Sequence, residues 1–180
     1  MKQEPPHGDQ ADHPSHQSPS PALVATAYHE AGHAVMALSL GRPIDKVTIS
    51  PRRLQVEGGR LGACKIQKGR TKSSRDWLED EVLILFAGMV AEAIITGEYC
   101  ESGAAQDLRT ARRLLHTRPG TPQQMERIER RLVDKTAHIL SDEGHAKAIT
   151  MIAEELLAKT TISGRAVRHF FNMAVKSHDK

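Results

Sequence analysis

Residues 27–34 of the chain read AYHEAGHA, and this stretch lies in the middle of a run with helical periodicity. The apolar residues that recur at helical spacing through the run are Leu23, Val24, Ala27, Tyr28, Ala31, Ala34, Val35 and Leu38. The pattern predicts one helix, which ends near Gly41 and Pro43 because these residues disfavour further helix. Both histidines of the stretch, His29 and His33, therefore lie on a predicted helix.

These residues form an H-E-x-x-H motif, His29-Glu30-Ala31-Gly32-His33. Residues four apart lie on one face of a helix, so both imidazoles can reach a single ion. In a zinc hydrolase, the glutamate beside the first histidine takes a proton from a water molecule whose pKa the metal has lowered. We therefore predict that His29 and His33 bind zinc and that Glu30 is the catalytic base. Gly32 inside the helix indicates close approach by another element.

The third ligand is not evident from the motif. A catalytic zinc ion normally takes three protein ligands and leaves one position open. A third histidine in an H-x-x-G-x-x-H continuation is excluded, because residues 34–37 are Ala-Val-Met-Ala. A distant histidine or carboxylate remains, and the alternative at this point is a pair of histidines without a metal.

Composition narrows the function classes. The 180 residues are enough for one domain with its own core, and their hydrophobic content is 39%. Only 3% are aromatic, and the net charge is +3, so we expect no nucleic-acid partner. No apolar run approaches the length of about 18 residues that spans a membrane, and no secretory start is present. We therefore expect a cytoplasmic protein with no membrane partner.

The chain divides into a tail and a domain. Residues 1–20 are rich in Pro, His, Gln and Ser and nearly lack large apolar side chains. Such a stretch cannot bury enough surface to offset its ordering entropy, which predicts a disordered tail followed by a domain over residues 21–180.

Two short stretches of the domain favour strands, and the rest favours helices. Residues 44–50 and 61–66 predict an antiparallel hairpin with a long connection. Further helices are predicted to begin near Ser73, Ser102, Thr121-Pro122, Asp142 and Ser163, the first of them ending at Gly97. The sum is an α+β fold that is mainly α-helical, with one small β-hairpin or sheet.

The stretch at residues 27–34 resembles the zinc motif of the FtsH-type, AAA-linked zinc metalloproteases. Three further blocks follow in the same order as in that family, namely KVTISPR at 46–52 with Leu61-Gly62, AGMVAE at 87–92 (A-G-R-x-A-E in the family), and SGAAQDL at 102–108 (T-G-A-x-x-D-L in the family). The resemblance covers residues 22–175. It implies a zincin-like helical domain with the activity of a zinc metalloendopeptidase.

The resemblance also implies the remaining site residues. The aspartate of the last block is the third zinc ligand of the family, and it corresponds to Asp107. A site of two histidines and one aspartate suits a single Zn²⁺ per chain and leaves a position for water. Glu92, from the A-G-R-x-A-E block, is expected near the site, where it would orient a ligand histidine.

Substrate and partners follow as expectations. We expect a peptide or an unfolded protein as substrate, added as an extra strand along a free hairpin edge at Val47, Thr48 and Ile49. Family members join this domain to an ATPase, but no G-x-x-x-x-G-K-[ST] phosphate loop occurs in this sequence. An ATP-independent endopeptidase is therefore predicted, with a separate ATPase or adaptor and a homo-oligomer left open. The alternative is a zinc-containing binding or regulatory module without turnover.

Overall fold

The computed structural model describes residues 18–49, 62–66, 76–99 and 103–176. In chain order, the elements are α1 (Pro21–Ser39), β1 (Ile44–Ile49), β2 (Gly62–Ile66), α2 (Trp77–Thr96), α3 (Ala105–Leu115), α4 (Pro122–Leu140), α5 (Glu143–Lys159), β3 (Thr161–Ser163) and α6 (Gly164–Lys176). The mainly helical α+β fold predicted from the sequence is confirmed. The predicted tail lies outside the described residues except for its last three positions.

Helix α1 is the central element of the core. Its first turn is capped by Ser20, whose hydroxyl accepts a hydrogen bond from the Leu23 amide at 3.3 Å. Residues 27–37 are all buried, because α2, α5 and the strands β1 and β2 pack around them. A Cβ atom at Gly32 would overlap the carbonyl oxygen of Ala87, so the glycine allows α1 and α2 to approach closely. The close approach predicted from this mid-helix glycine is confirmed.

Helix α2 has a defined signal at each end. Asp76 caps its start, where the carboxylate accepts a hydrogen bond from the Glu79 amide at 3.1 Å. Gly97 ends it in the left-handed conformation with a φ of 78°, as the sequence predicted. The predicted start near Ser73 falls outside the described residues, and the helix begins at Trp77.

The sheet has the strand order β2-β1-β3, and both pairs are antiparallel. The pairing of β1 with β2 confirms the predicted hairpin, whereas β3 was not predicted. Because β1 has a neighbour on each side, the expectation of a free edge at Val47, Thr48 and Ile49 is wrong. The register places Val47 between Cys64 and Ile162. Among the described strands, the edges of the sheet belong to β2 and β3.

Helices α3 and α4 pack against α2, α5 packs against α1, and α6 packs against α5 and β1. Thr121 and Gln124 form a reciprocal capping box at the start of α4, in agreement with the predicted start at Thr121-Pro122. Asp142 caps α5 at the predicted place. Helix α3 begins at Ala105, and Ser102, its predicted cap, lies outside the described residues. None of the helices in the described ranges is both long and apolar enough to cross a membrane.

Candidate metal centre

His29 and His33 of α1 meet Asp107 of α3 beside helix α2, which packs against both helices. The two imidazole rings lie edge to face with their centroids 4.7 Å apart. Asp107 comes from the first turn of α3, and its Oδ2 atom lies 3.2 Å from His29 Nε2 and 3.3 Å from His33 Nε2. All three side chains are buried, and one ligand atom from each lies within 4.8 Å of the other two. The part of the chain that the structure describes contains no other such group.

The opposite ring nitrogens are held by α2. The carbonyl oxygen of Ile84 lies 2.7 Å from His33 Nδ1, which donates to it. The Oε2 atom of Glu92 lies 3.3 Å from His29 Nδ1, which donates in the same way. With Nδ1 as the donor, a neutral ring carries its lone pair on Nε2, the nitrogen that faces Asp107. The partners therefore assign both histidines the tautomer that binds a metal through Nε2.

The charge around His29 favours a cation. Burial alone lowers the pKa of His29, but the hydrogen bonds to Asp107 and Glu92 and the negative charges of Glu30 and Asp107 outweigh it. Their combined effect raises the pKa from 6.5 to about 9. In the metal-free protein, the His29 ring therefore carries a second proton, and with it a positive charge, at neutral pH between the buried carboxylates of Asp107 and Glu92. A divalent cation at Nε2 would supply positive charge at the same place.

The residues present fit a zinc ion. His33 Nε2 is buried and has no hydrogen-bond partner within the described ranges, although Asp107 Oδ2 is close. A Cβ atom at Gly88 would overlap His29 Nε2 and lie 2.6 Å from His33 Nε2, so the missing side chain leaves room in front of both ligand atoms. Two imidazoles and one carboxylate are a ligand set of catalytic zinc sites, which keep the fourth position open.

Glu30 and the predicted substrate-binding residues of β1 are not among the three clustered side chains. Glu30 follows His29 on α1, is only 2% exposed, and is not part of the three-ligand group. Val47 and Ile49 are buried in β1, and the Thr48 hydroxyl hydrogen-bonds that of Thr161 in β3. These three strand residues therefore contribute to the sheet and do not offer a backbone edge to a substrate.

Two contributors to the site were not predicted. The Ile84 carbonyl acts through the backbone, so no side-chain pattern could indicate it. Gly88 lies in the AGMVAE block at residues 87–92, but the block itself does not say that the glycine faces the two histidines. The signal that could have found it is a glycine inside a strongly apolar helix, which is typical of close approach by another group.

The model of peptidase family M41 matches residues 23–118, a region that contains all three clustered side chains. The chain belongs to peptidase family M41. The family resemblance predicted from the motifs is thus confirmed.

Curated relatives of this M41 chain carry the name ATP-dependent zinc metalloprotease FtsH. The protein of Protochlamydia amoebophila (strain UWE25) is 43% identical over 93 residues, which are 49% of this chain and 10% of that protein. The FtsH of Chlamydia trachomatis serovar L2 is 38% identical over 96 residues, which are 51% of this chain and 10% of that protein. A chloroplastic/mitochondrial relative, FTSH 9 of Oryza sativa subsp. japonica, is 39% identical over 97 residues, or 51% of this chain and 12% of the relative. The matched stretch thus spans about a tenth of the length of these relatives.

Proposed function

We propose that this M41 chain is a zinc metalloendopeptidase that hydrolyses peptides or unfolded proteins. His29, His33 and Asp107 hold the zinc ion, and Glu30 is the catalytic base. The observation that carries the proposal is the buried cluster of two Nε2 atoms and one carboxylate oxygen, with one of the nitrogens lacking a hydrogen-bond partner within the described ranges. Glu30 follows the first of these ligands directly in the sequence.

The chemistry assigns each residue a task. A bound zinc ion supplies Lewis acidity, which lowers the pKa of a water molecule and polarises the scissile carbonyl group. Glu30 takes a proton from the attacking water and later delivers it to the leaving amine. Glu92 and the Ile84 carbonyl keep the two ligand rings in orientation through their Nδ1 atoms. Burial of the cluster excludes bulk water, which strengthens the electrostatic interactions inside it.

We infer further that cleavage by this chain on its own does not need ATP. The relatives are named ATP-dependent, but the sequence of this chain contains no phosphate loop of the G-x-x-x-x-G-K-[ST] type. Peptides and already unfolded proteins are therefore its substrates when it acts alone. A separate ATPase or adaptor, or assembly of several copies, would extend its action to folded proteins.

The test compares wild type with Glu30→Gln for zinc content and for cleavage of unfolded casein without ATP. The amide cannot accept the proton, so kcat/KM should fall by about 10²–10⁴-fold while one zinc ion per chain is retained. Glu154→Gln, an exposed position on α5, is the matched control and should behave as wild type.

The other outcomes are equally clear. Zinc in both proteins with cleavage by neither would favour the alternative function, a binding or regulatory module in which the metal only ties elements together. A lack of zinc in protein that was never exposed to a chelator would contradict the metal centre itself.

A further inference from the structure

Gly62, the first residue of β2, lies directly against the side chain of Glu30. A Cβ atom on Gly62 would lie 2.5 Å from Glu30 Cγ, 2.6 Å from Oε1 and 2.8 Å from Cδ. Non-bonded carbon atoms normally stay about 3.5–4.0 Å apart. The backbone of β2 therefore touches the Glu30 side chain at a distance that only glycine allows.

The backbones on both sides of this contact are held by neighbouring elements. Gly62 is paired with Ile49 of β1, and β1 is held on its other side by β3. Glu30 lies in the fully buried stretch of α1, which is packed by other helices. The end of the Glu30 side chain, which carries the carboxylate, can shift at less cost than either backbone. A methyl group at residue 62 would thus displace that carboxylate before it disturbed the fold.

We propose that Gly62 is a positioning residue for Glu30. Because Gly62 has no side chain, the β2 backbone contacts the Glu30 side chain directly. This contact keeps the carboxylate in one orientation. The inference rests on the proposed role of Glu30 as the base. It separates the two glycines of the centre, since a Cβ on Gly88 would lie nearest to the histidine nitrogens, whereas the three atoms nearest to a Cβ on Gly62 all belong to Glu30.

A double-mutant cycle tests the contact without relying on activity. The four proteins are wild type, Gly62→Ala, Glu30→Ala and the double variant, all unfolded thermally in the metal-free state. Gly62→Ala should lower the Tm of wild type by roughly 3–8 °C. In the Glu30→Ala background the loss should vanish, because the methyl group then fills the space that the glutamate has left.

The zinc-loaded proteins supply the second readout. Gly62→Ala should keep its zinc affinity within about threefold of wild type, and its kcat should fall at least tenfold with little change in KM. In the Glu30→Ala background, the same substitution should cause no further loss of activity. Gly120→Ala is the matched control, because a Cβ there would meet the flexible side chains of Met125 and Gln124 and no residue of the metal centre.

An equal fall in Tm in both backgrounds would overturn the inference, because the methyl group would then clash with something other than Glu30. A Gly62→Ala protein with the Tm and kcat of wild type would overturn it as well. If zinc-loaded wild type cleaves nothing, the proposed function fails, but the Tm cycle still decides whether Gly62 fixes the position of Glu30.

Discussion

At the scale of single residues, the candidate metal centre brings together two buried imidazole nitrogens and a buried carboxylate oxygen. A bound cation would stabilise this arrangement. His29 Nε2 and His33 Nε2 both face the Asp107 carboxylate at 3.2–3.3 Å, and His33 Nε2 has no hydrogen-bond partner within the described ranges. A buried nitrogen atom without a hydrogen-bond partner costs free energy of folding, so this part of the cluster opposes stability. Positions at which a fold accepts this cost are expected to be functional.

Gly88→Ala tests whether the space in front of these atoms is needed. The added methyl group would overlap the two Nε2 atoms, so zinc affinity should fall at least tenfold. The measurement is competition for zinc against a chromophoric chelator. Gly120→Ala, the same substitution far from the centre, should keep wild-type affinity. Equal affinities for all three proteins would show that the metal does not occupy this space.

At the scale of elements, the start of α2 depends on a charged cap. A hydrogen bond from Arg118 holds the pKa of Asp76 below its ordinary value of 3.8, and the Glu79 amide adds to the effect. Since the folded-state pKa is the lower one, the stabilisation is fully present above pH 3.8. It is lost as the pH falls through the folded-state pKa.

Asp76→Ala should therefore cost about 1 kcal/mol of unfolding free energy at pH 7 through the lost cap. The contact with Arg118 adds little, because that carboxylate is 37% exposed. The difference in urea midpoint between wild type and variant, measured on metal-free protein, should shrink as the pH is lowered below about 4. In an Arg118→Ala background the difference should be smaller at pH 7. A difference that stays constant down to pH 2 would contradict the linkage.

The sheet makes a prediction about Thr48 that differs from the expectation of a substrate edge. Strand β1 is paired on both sides, so Thr48→Pro should disrupt the ladder and destabilise the whole fold. Thr48→Ala retains the backbone pairing and should cost no more than about 1 kcal/mol. Chemical unfolding of the two variants separates the roles. A proline variant with wild-type stability but lost cleavage would instead restore the substrate role.

The sequence predicted local elements well because their signals are local. Thr121-Pro122 begins α4 and Gly97 ends α2, each through a bond or dihedral angle within one turn. Strand β3 escaped prediction because three residues between two helices show no periodicity. Because β3 pairs with β1, β1 is the central strand of the sheet. The sequence analysis placed β1 at an edge because this pairing depends on residues far along the chain.

The candidate site likewise contains residues with a local sequence signal and one residue without it. His29, Glu30 and His33 were predictable from one helical repeat. Asp107 lies 78 residues from His29, and no spacing rule connects them, so only the family resemblance indicated it.

At the scale of the whole molecule, the proposed metal centre connects distant parts of the chain. Two of the proposed ligands come from α1 and the third from α3, with α2 behind them. At a free zinc concentration of 100 times the Kd, binding should stabilise the fold by about 2.7 kcal/mol. This corresponds to a rise in Tm of roughly 5–10 °C for a chain of this size.

Removal of zinc with a chelator should reverse that rise in wild type, and Asp107→Ala should show little rise at all. Calorimetry with and without zinc provides the measurement, and Asp134→Ala, an exposed aspartate of α4, is the control. A similar rise in wild type and Asp107→Ala would mean that zinc binds elsewhere.

The position of β3 in the chain has a consequence for biosynthesis. Thr48 and its partner Thr161 are 113 residues apart, so β1 leaves the ribosome long before the strand that covers one of its edges. Until β3 arrives, the nascent chain presents a strand with unpaired backbone groups along one edge, a template for pairing with other chains. A fragment that ended at residue 118, the limit of the family match, would remain permanently in that state. We expect such a fragment to aggregate more readily than the whole chain, because the residues beyond the match supply the strand that covers this edge.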